Sequence, residues 1–363
     1  MNNDLNNTKL VTLRAIDQYI ESNIQLPIEE DSHKGFVKWG INNDYPQWLD
    51  NLYKSVATLK SIIEGTVDFV VGDKITVDDI VWDVQVNENG DTIEDLCRDI
   101  TRDYLKYGGF AINVVRNKNG KVGCLYFVPL ERLRCNEDRT EFYYAKDWSK
   151  SVGRVKFIKY PRFNPNSSDP NSIYVYSNNR TDVYPSPKWS ASVTSAEIER
   201  QVNEYHLNSI ANGFSASYLI SMNNGIPSES QADEIEEDMI EKFTGSGNGG
   251  RLVLTFANDK EHSAVLSKLE TEDAGEKYKS LIERTKSELF TAFRATPNLF
   301  GLPTATGFSN EEYLDAFKLY NRTSVRPIQN ILVNTINYII NKTITITPFS
   351  LEGSVDEIIQ NQE

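Results

Sequence analysis

The sequence has little of what marks an enzyme, a secreted domain or a membrane protein. Three cysteines among 363 residues form no close-spaced cluster, so no disulfide framework or zinc site is expected and a reducing cytoplasm fits. Three scattered histidines lie in no nucleophile or metal motif. No apolar run reaches membrane-spanning length, and the N-terminus lacks a basic segment followed by an apolar core, so we expect no signal peptide.

Positive charge is also scarce. The chain has 38 Lys and Arg against 52 Asp and Glu, which gives a formal net charge of -14. Because a protein that holds phosphates normally presents a basic face, this balance argues against a simple cationic nucleic-acid binder. The composition is otherwise that of a globular protein, 39% hydrophobic and 25% charged, and the length suggests two or three domains or one elongated chain.

Two stretches invite a chemical interpretation that their context does not support. The glycine-rich GSGNGGR at 245–251 has a helical pattern before it and a strand pattern after it, the reverse of a phosphate-binding loop. The acidic ADEIEEDMIEKF at 232–243 has carboxylates at helical spacing without a histidine, which is typical of a solvated helix face. We therefore predict no catalytic residue, no metal and no cofactor. A hydrolase that uses carboxylates as acid and base is the enzymatic alternative.

The first half of the chain is predicted to hold one α+β domain over 40–190, with helices first and antiparallel strands after. Apolar stripes indicate two helices within 44–73. A third helix is expected from Thr92 to Tyr107, ended by the glycine pair that begins at Gly108.

Short segments rich in β-branched and aromatic residues then predict strands over 109–177. The Asn-Gly of NKNGK at 117–121 indicates a tight hairpin between the first two. The basic stretch RVKFIKYPRF at 154–163 has two interpretations, a base-stacking surface or an edge strand protected by lysines. The edge strand is favoured, because a stacking surface is not otherwise supported by positive charge in this sequence.

The second half is mostly helical in pattern. Strands are expected within 214–222 and 251–256, and a helix is expected over 272–296. Three residue pairs match the capping box that starts helices, namely Thr194 with Glu197, Ser228 with Gln231, and Ser309 with Glu312.

An uncharged segment separates two of the strongest helical patterns. From Ala295 to Asn310 there is no charged residue, while the segment contains two prolines, two glycines and two phenylalanines. The plain interpretation is a helix–helix connection, although such connections usually have only about two to eight residues. Helical spacing resumes after it and continues to about residue 341, with a kink expected near Val325–Arg326 because Pro327 lies inside the run.

Three stretches of this half resemble the portal proteins of tailed bacteriophages, in the branch similar to the HK97 type. EYHLNSIANGFSASYLI at 204–220 resembles that family's helix leading to a small-residue turn and a strand. SELFTAFRATPNLFGLPTATGFSNEEYLDAF at 287–317 resembles the segment where a helix ends at a Pro-Leu-Leu-Gly-like motif before a loop and the next helix. YNRTSVRPIQNILVNTINYII at 320–340 resembles the continuation of that helix. The likeness is good over 194–345 and looser before it.

The resemblance implies an α+β portal fold, with an α+β wing, a helical stem, a small α/β clip and a long kinked helix after a tunnel loop. The chain stops soon after the strand pattern KTITITPFSL, so a helical crown is expected to be absent or minimal. The implied segments are an N-terminal arm at 1–35, a wing at 36–193 and 311–350, stem helices at 194–213 and 272–296, a clip at 214–271, a tunnel loop at 297–310 and a C-terminal tail at 351–363.

The same resemblance implies a head-to-tail connector, a ring of about twelve copies around a channel for double-stranded DNA, without enzymatic activity of its own. Implied partners are the large terminase, the capsid protein and a head-tail adaptor, with no membrane, in the virion and in the host cytoplasm during assembly. The residues expected to line the DNA tunnel are Leu302, Thr304, Ala305, Thr306 and Phe308. The residues expected to make subunit contacts in the stem are Ile198, Val202, Tyr205, Tyr278, Leu281, Ile282 and Leu289.

The lack of charge in 297–310 fits such a loop. Contacts between cationic side chains and phosphate create affinity that does not depend on base sequence, and for a sliding duplex that affinity is friction. A neutral loop with proline and glycine contacts the duplex sterically instead. The alternative of the same class is a phage head or scaffold protein that forms a ring without a DNA passage.

Overall fold

The computed structural model describes residues 26–32, 34–148, 154–211, 218–222, 252–256, 274–301 and 310–350. Two compact units divide the chain. The first combines Met1–Glu197 with Lys286–Glu363, and the second is Ile198–Thr285. Helices and antiparallel strands share the first unit, which confirms the predicted α+β class.

Two consecutive helices, α1 (Tyr45–Ser55) and α2 (Ala57–Val71), form one side of the core of the first unit. Their apolar stripes were predicted from helical spacing and both are confirmed, because every stripe residue is buried. These residues are Leu49, Leu52 and Tyr53 on α1 and Leu59, Ile62, Ile63, Val67 and Val70 on α2.

A third helix of this core begins and ends where its sequence predicts. After a short helix α3 (Ile80–Val84), helix α4 (Ile93–Tyr107) starts at a capping box, in which the Thr92 hydroxyl accepts from the Asp95 N–H and the Asp95 carboxylate accepts from the Thr92 N–H. Gly108 ends α4 in the left-handed region, with φ 83°. A Cβ at this position would lie 2.1 Å from the Ser186 carbonyl oxygen, so only glycine fits.

Among the residues that the structure describes, the strands of the first unit pair antiparallel within four small sheets. One sheet has the order β5-β4-β9, a second the order β6-β7-β8, and two-stranded sheets join β1 to β2 and β3 to β12. The strands are β1 (Glu29–Asp31), β2 (Val37–Trp39), β3 (Lys74–Val77), β4 (Gly109–Arg116), β5 (Val122–Val128), β6 (Leu133–Cys135), β7 (Glu141–Tyr144), β8 (Ile158–Pro161), β9 (Asn171–Ser177) and β12 (Ile344–Thr347).

Two local predictions about these strands are confirmed. The hairpin between β4 and β5 turns at Asn117–Gly120, where the Gly120 N–H donates to the Asn117 carbonyl at 2.9 Å. The basic stretch at 154–163 supplies β8, which is an edge strand of its sheet. Lys159 on β8 makes an ion pair of 2.8 Å with Glu141 on the neighbouring strand, so this cation is used within the sheet.

The pairing of β3 with β12 brings the end of the described chain back to the first helices. Thr347 lies opposite Lys74 in this pair, and the Asp73 N–H donates to the Thr347 carbonyl at 3.1 Å. The preceding Gly72 has φ 70°, and a Cβ there would lie 2.1 Å from the same carbonyl oxygen. Close backbone approach at Gly72 therefore makes this pairing possible.

A Gly72→Ala chain is expected to lose roughly 3 kcal/mol or more of unfolding free energy, because positive φ and a backbone clash act together. Gly90→Ala is the matched control, because Gly90 also has positive φ but has no atom within 4 Å of the added Cβ. The control is expected to lose only about 1 kcal/mol. Urea unfolding of both variants measures the difference, and equal losses would contradict the proposed role of the close approach.

The second unit contains parts of two long helices and a strand pair. Strands β10 (Tyr218–Met222) and β11 (Leu252–Phe256) were both predicted, and they pair in parallel. Helices α5 (Val193–Ala211) and α6 (Ala274–Phe293) lie partly in this unit and partly in the first. The predicted acidic helix and the glycine-rich stretch at 245–251 lie outside the described residues.

The start of α5 corrects one predicted cap. A 3-10 turn at Ser190–Ser192 leads directly into the helix, and Val193 already has helical φ and ψ of -61° and -40°. Thr194 therefore lies inside the first turn and is not the N-cap residue that its spacing to Glu197 predicted. The capping-box prediction was wrong because the 3-10 turn before Val193 already starts the helix.

The last helical stretch is interrupted where Pro327 predicts a kink. It consists of α7 (Asn310–Tyr320), a π-helical turn (Asn321–Val325) and α8 (Arg326–Ile340), with Pro327 in the first turn of α8. Proline removes one backbone donor, and the wider π turn accommodates the irregularity at the predicted place. Among the described helices, none is both long enough and apolar enough to cross a bilayer.

Candidate functional site

The uncharged segment after α6 begins inside the core of the first unit. Residues Pro297–Phe300 form a 3-10 helix in which Leu299 is buried. The Phe300 ring lies 6.0 Å from the Phe69 ring and 5.6 Å from the Tyr320 ring, both centroid to centroid. A Cβ on Gly65 would lie 2.8 Å from the Phe300 ring, so the glycine on α2 makes room for it. These contacts fix one end of the segment.

The turn between the end of α6 and the uncharged segment is also defined. Arg294 has φ 54°, and the Ala295 N–H donates to the Phe290 carbonyl at 2.9 Å. Such a left-handed residue closes a helix end and reverses the chain. The predicted loop at 297–310 therefore needs a correction, because Pro297–Phe300 is a packed helical turn.

The residues predicted to face DNA follow this packed turn. Leu302, Thr304, Ala305, Thr306 and Phe308 all lie in 302–309, outside the described residues, so their role stays a prediction. The structure describes both ends of the stretch, at Gly301 and at the first residue of α7, Asn310. Eight residues thus connect a fixed turn to a helix start.

The stem positions fall into two groups. In the second unit, the rings of Tyr205 and Tyr278 lie 5.3 Å apart, and the His206 ring lies 5.4 Å from the Tyr278 ring. Tyr205 is nevertheless 52% exposed and the nearby Leu207 is 66% exposed. Ile198, Leu281 and Ile282 are half-buried. This group keeps apolar surface that a second copy can cover.

The other group consists of Val202 and Leu289, which are buried within this chain. Leu289 has no exposed surface and belongs to the core of the first unit. A residue that is already covered by its own chain presents nothing to a neighbour. We therefore reassign both residues from subunit contacts to internal packing.

Buried charges in the first unit support the fold. Lys106 makes an ion pair of 2.6 Å with Asp50 and lies 3.8 Å from Asp103, whose carboxylate accepts from the Leu130 N–H at 2.8 Å. Burial raises the pKa of Asp103 to about 8. This carboxyl is enclosed, and it lines neither of the two cavities of about 270 and 370 Å³ in the same unit.

The same two cavities contain cationic side chains and no carboxylate. The larger is lined in part by Lys188, Arg294 and the π-helical turn. Burial, together with the charge of Arg294, lowers the pKa of Lys188. Within the described ranges there is no cluster of three metal-ligating side chains. Neither cavity therefore has the paired carboxylates that the alternative of a hydrolase requires.

The anchoring role of Leu299 and Phe300 was not predicted from the sequence. The signal was present in PNLFG, where two large apolar residues stand in an otherwise small and polar segment. Spacing alone does not distinguish an anchor from an exposed contact, because both need an apolar side chain.

Comparison of this chain with solved structures identifies its fold. No family model and no curated protein matches the chain. An HK97-family phage portal protein from Corynebacterium diphtheriae matches with a TM-score of 0.50 and 12% identity, over 84% of this chain and 97% of that one. A chain in the neck of a native gene transfer agent particle, computed with C12 symmetry, matches with a TM-score of 0.51 and 15% identity, over 87% and 88%. A chain in the virion of such a particle matches with a TM-score of 0.51 and 16% identity, over 86% and 87%.

These similarities extend over most of the length of each protein. The resemblance to HK97-type portal proteins, first drawn from sequence, is confirmed for the fold.

Proposed function

We propose that this chain is the portal subunit of a tailed phage or a related particle, a head-to-tail connector that forms a ring-shaped channel for double-stranded DNA. The observation that carries the proposal is the shared fold, which covers 84% of this chain and 97% of a phage portal protein. A partial match would be compatible with a borrowed domain, whereas this one includes nearly all of both chains.

The uncharged segment supports the channel. The described chain leaves a packed turn at Pro297–Phe300 and resumes in a helix at Asn310, and the eight residues between Gly301 and Asn310 are the proposed tunnel loop. A loop held at both ends can touch a passing duplex without leaving the wall. Its neutrality avoids phosphate binding, and the net charge of -14 disfavours adhesion of DNA elsewhere.

The proposed partners follow from this role. Copies of the same chain, about twelve, would form the ring, and the large terminase would drive DNA through it. The capsid protein and a head-tail adaptor would contact its outer surfaces, in the virion and, before that, in the host cytoplasm during assembly. The wing, stem and clip boundaries stated above belong to this proposal.

Two alternatives are distinguished by direct tests. A ring protein of the head or scaffold without a DNA passage would show a closed centre in electron micrographs. A carboxylate hydrolase would hydrolyse an ester or ATP in pure form and lose that activity through one substitution.

Purified protein is expected to form closed rings with an open centre, and the ring fraction is expected to rise with salt. Exposed Tyr205 and Leu207 supply apolar surface for assembly, whereas each added copy brings like charge that salt screens. Native mass spectrometry and negative-stain images across a salt series measure both. A monomer at every salt concentration would overturn the proposed function.

A further inference from the structure

A cavity at one edge of the β5-β4-β9 sheet concentrates positive charge in this acidic chain. It has a volume of about 270 Å³ and is lined by the β9 residues 174–177 and by Arg139, Arg162 and Arg180. Its lining contains no aspartate or glutamate. Trp39 and Tyr184 stack at 4.4 Å between ring centroids and form part of its apolar wall. The cavity thus combines an aromatic wall with cations.

Two arginines of this cavity are available for an outside partner. Arg139 donates to the carbonyl oxygens of Asn179 and Arg180, at 3.5 and 3.3 Å. Arg162 and Arg180 are exposed, and within the part of the chain that the structure describes neither forms an ion pair. Arginines that lie close together without a carboxylate repel one another. Such a group is therefore expected to bind an anionic partner from outside the chain.

The short helix α3 presents an exposed apolar surface. Ile80, Val81 and Val84 are 81%, 68% and 65% exposed, while Trp82 between them is buried and holds the helix in place. The exposed carboxylate of Asp78 stands just before this helix. Three large apolar side chains on five residues make a protruding patch, and such patches mark contact sites.

The two surfaces lie at opposite edges of one sheet. The Leu125 N–H of β5 donates to the Val86 carbonyl at 2.8 Å, and the Asn87 side-chain amide donates to the Leu125 carbonyl at 2.9 Å. These bonds place the segment that follows α3 along the free edge of β5. The cavity uses β9, which is separated from β5 by β4. One subunit therefore carries an apolar, acidic protrusion on one side and an apolar, cationic cavity on the other.

We propose that α3 of one copy docks into the arginine-lined cavity of the next, so that these two surfaces form a repeated head-to-tail contact. Complementary patches at different places on one molecule make a heterologous contact, and such contacts close into rings when the rotation between copies allows it. Charge complementarity offsets the repulsion between copies that each carry -14. The inference rests on the proposed ring and names a further contact that holds it, beside the apolar surface of Tyr205 and Leu207.

The test uses one variant on each surface. Ile80→Lys with Val84→Lys puts cations on the protrusion, and Arg162→Glu with Arg180→Glu reverses the cavity. All four positions are exposed, so thermal unfolding is expected to match wild type. Each variant is expected to lower the ring fraction about tenfold or more in native mass spectrometry, the scale of a broken charge-complementary contact. Lys118→Glu with Lys121→Glu is the control with the same charge change as the cavity variant, and Leu319→Lys puts one cation on an exposed apolar side chain elsewhere.

Mixing and combination separate a specific contact from general damage. In an equimolar mixture, the wild-type α3 of one variant meets the wild-type cavity of the other, and the lysines of one variant face the glutamates of the other. Rings that contain both variants in equal number are therefore expected. A chain carrying all four substitutions is expected to regain rings, because lysines now face glutamates. Two outcomes would overturn the docking contact and leave the proposed function intact. Either the variants form rings as well as wild type does, or they assemble neither on mixing nor when all four substitutions are combined in one chain. Wild type that never assembles would overturn both.

Discussion

Rings assembled from Thr304→Arg chains are expected to form normally and to leave particles largely empty of DNA. The substitution would place about a dozen new cations at one level of a proposed channel, and each phosphate contact adds affinity that weakens steeply with salt. Thr304 lies in the stretch between the fixed turn at Pro297–Phe300 and α7. Added affinity there opposes the sliding of the duplex in both directions.

The measurement is the DNA content of particles assembled with the variant, alongside the yield of rings. Thr304→Ser and Ala305→Ser are the controls, because both keep the loop neutral and are expected to package normally. Partial recovery at higher salt would support phosphate friction as the cause. A normal DNA content in Thr304→Arg particles at low salt would contradict the channel role of the loop. Loss of the ring itself would indicate that the stretch is a packed connection between subunits.

Replacement of Arg134 by alanine is expected to cost about 4 kcal/mol of unfolding free energy, because it leaves buried acceptors unpaired and opens a cavity. Arg134 is fully buried on β6. It donates to the Asn43 side chain at 2.5 Å, to the Asn43 carbonyl at 2.6 Å and to the Gln47 side chain at 3.2 Å. Its guanidinium also lies 4.8 Å from the Trp148 ring. One side chain thus joins the start of α1 to β6.

Arg132→Ala is the matched control for this prediction. Arg132 lies two residues earlier, is half-buried and donates to the Tyr144 hydroxyl at 3.4 Å, so its loss is expected to cost below about 1 kcal/mol. Burial lowers the pKa of Arg134 to about 10, so the group stays charged at neutral pH. Arg134→Lys keeps the charge but not the planar fork, and an intermediate loss is expected. Chemical unfolding of the three variants gives the order, and equal stability of Arg132→Ala and Arg134→Ala would contradict it.

Local sequence signals predicted the elements whose ends are set by neighbouring residues. Thr92 with Asp95 starts α4 and Gly108 ends it, and both act within one helical turn. The Asn-Gly hairpin and the irregularity before Pro327 are equally local. The apolar stripes of α1 and α2 were readable for the same reason, since a period of 3.6 residues is a property of the helix itself.

Other local signals were misleading where tertiary packing competed with them. Thr194 and Glu197 have capping-box spacing, yet the preceding turn starts α5 first. Leu289 has the helical spacing of a contact residue, and its own chain covers it. An apolar side chain on a helix has the same pattern whether it meets a core or a second subunit, so only the packed structure separates the two.

By itself, then, the sequence determined the class of fold, most helix limits, the hairpin between β4 and β5 and the neutrality of the stretch before α7, because each depends on residues a few positions apart. Only the tertiary structure decided the pairing of β3 with β12, the anchoring of Phe300 beside Gly65 and the placing of α3 and the arginine cavity at opposite sheet edges. These depend on residues separated by long stretches of chain. Periodicity carries no information about which distant partners meet, since that choice is made by packing and backbone pairing over the whole unit.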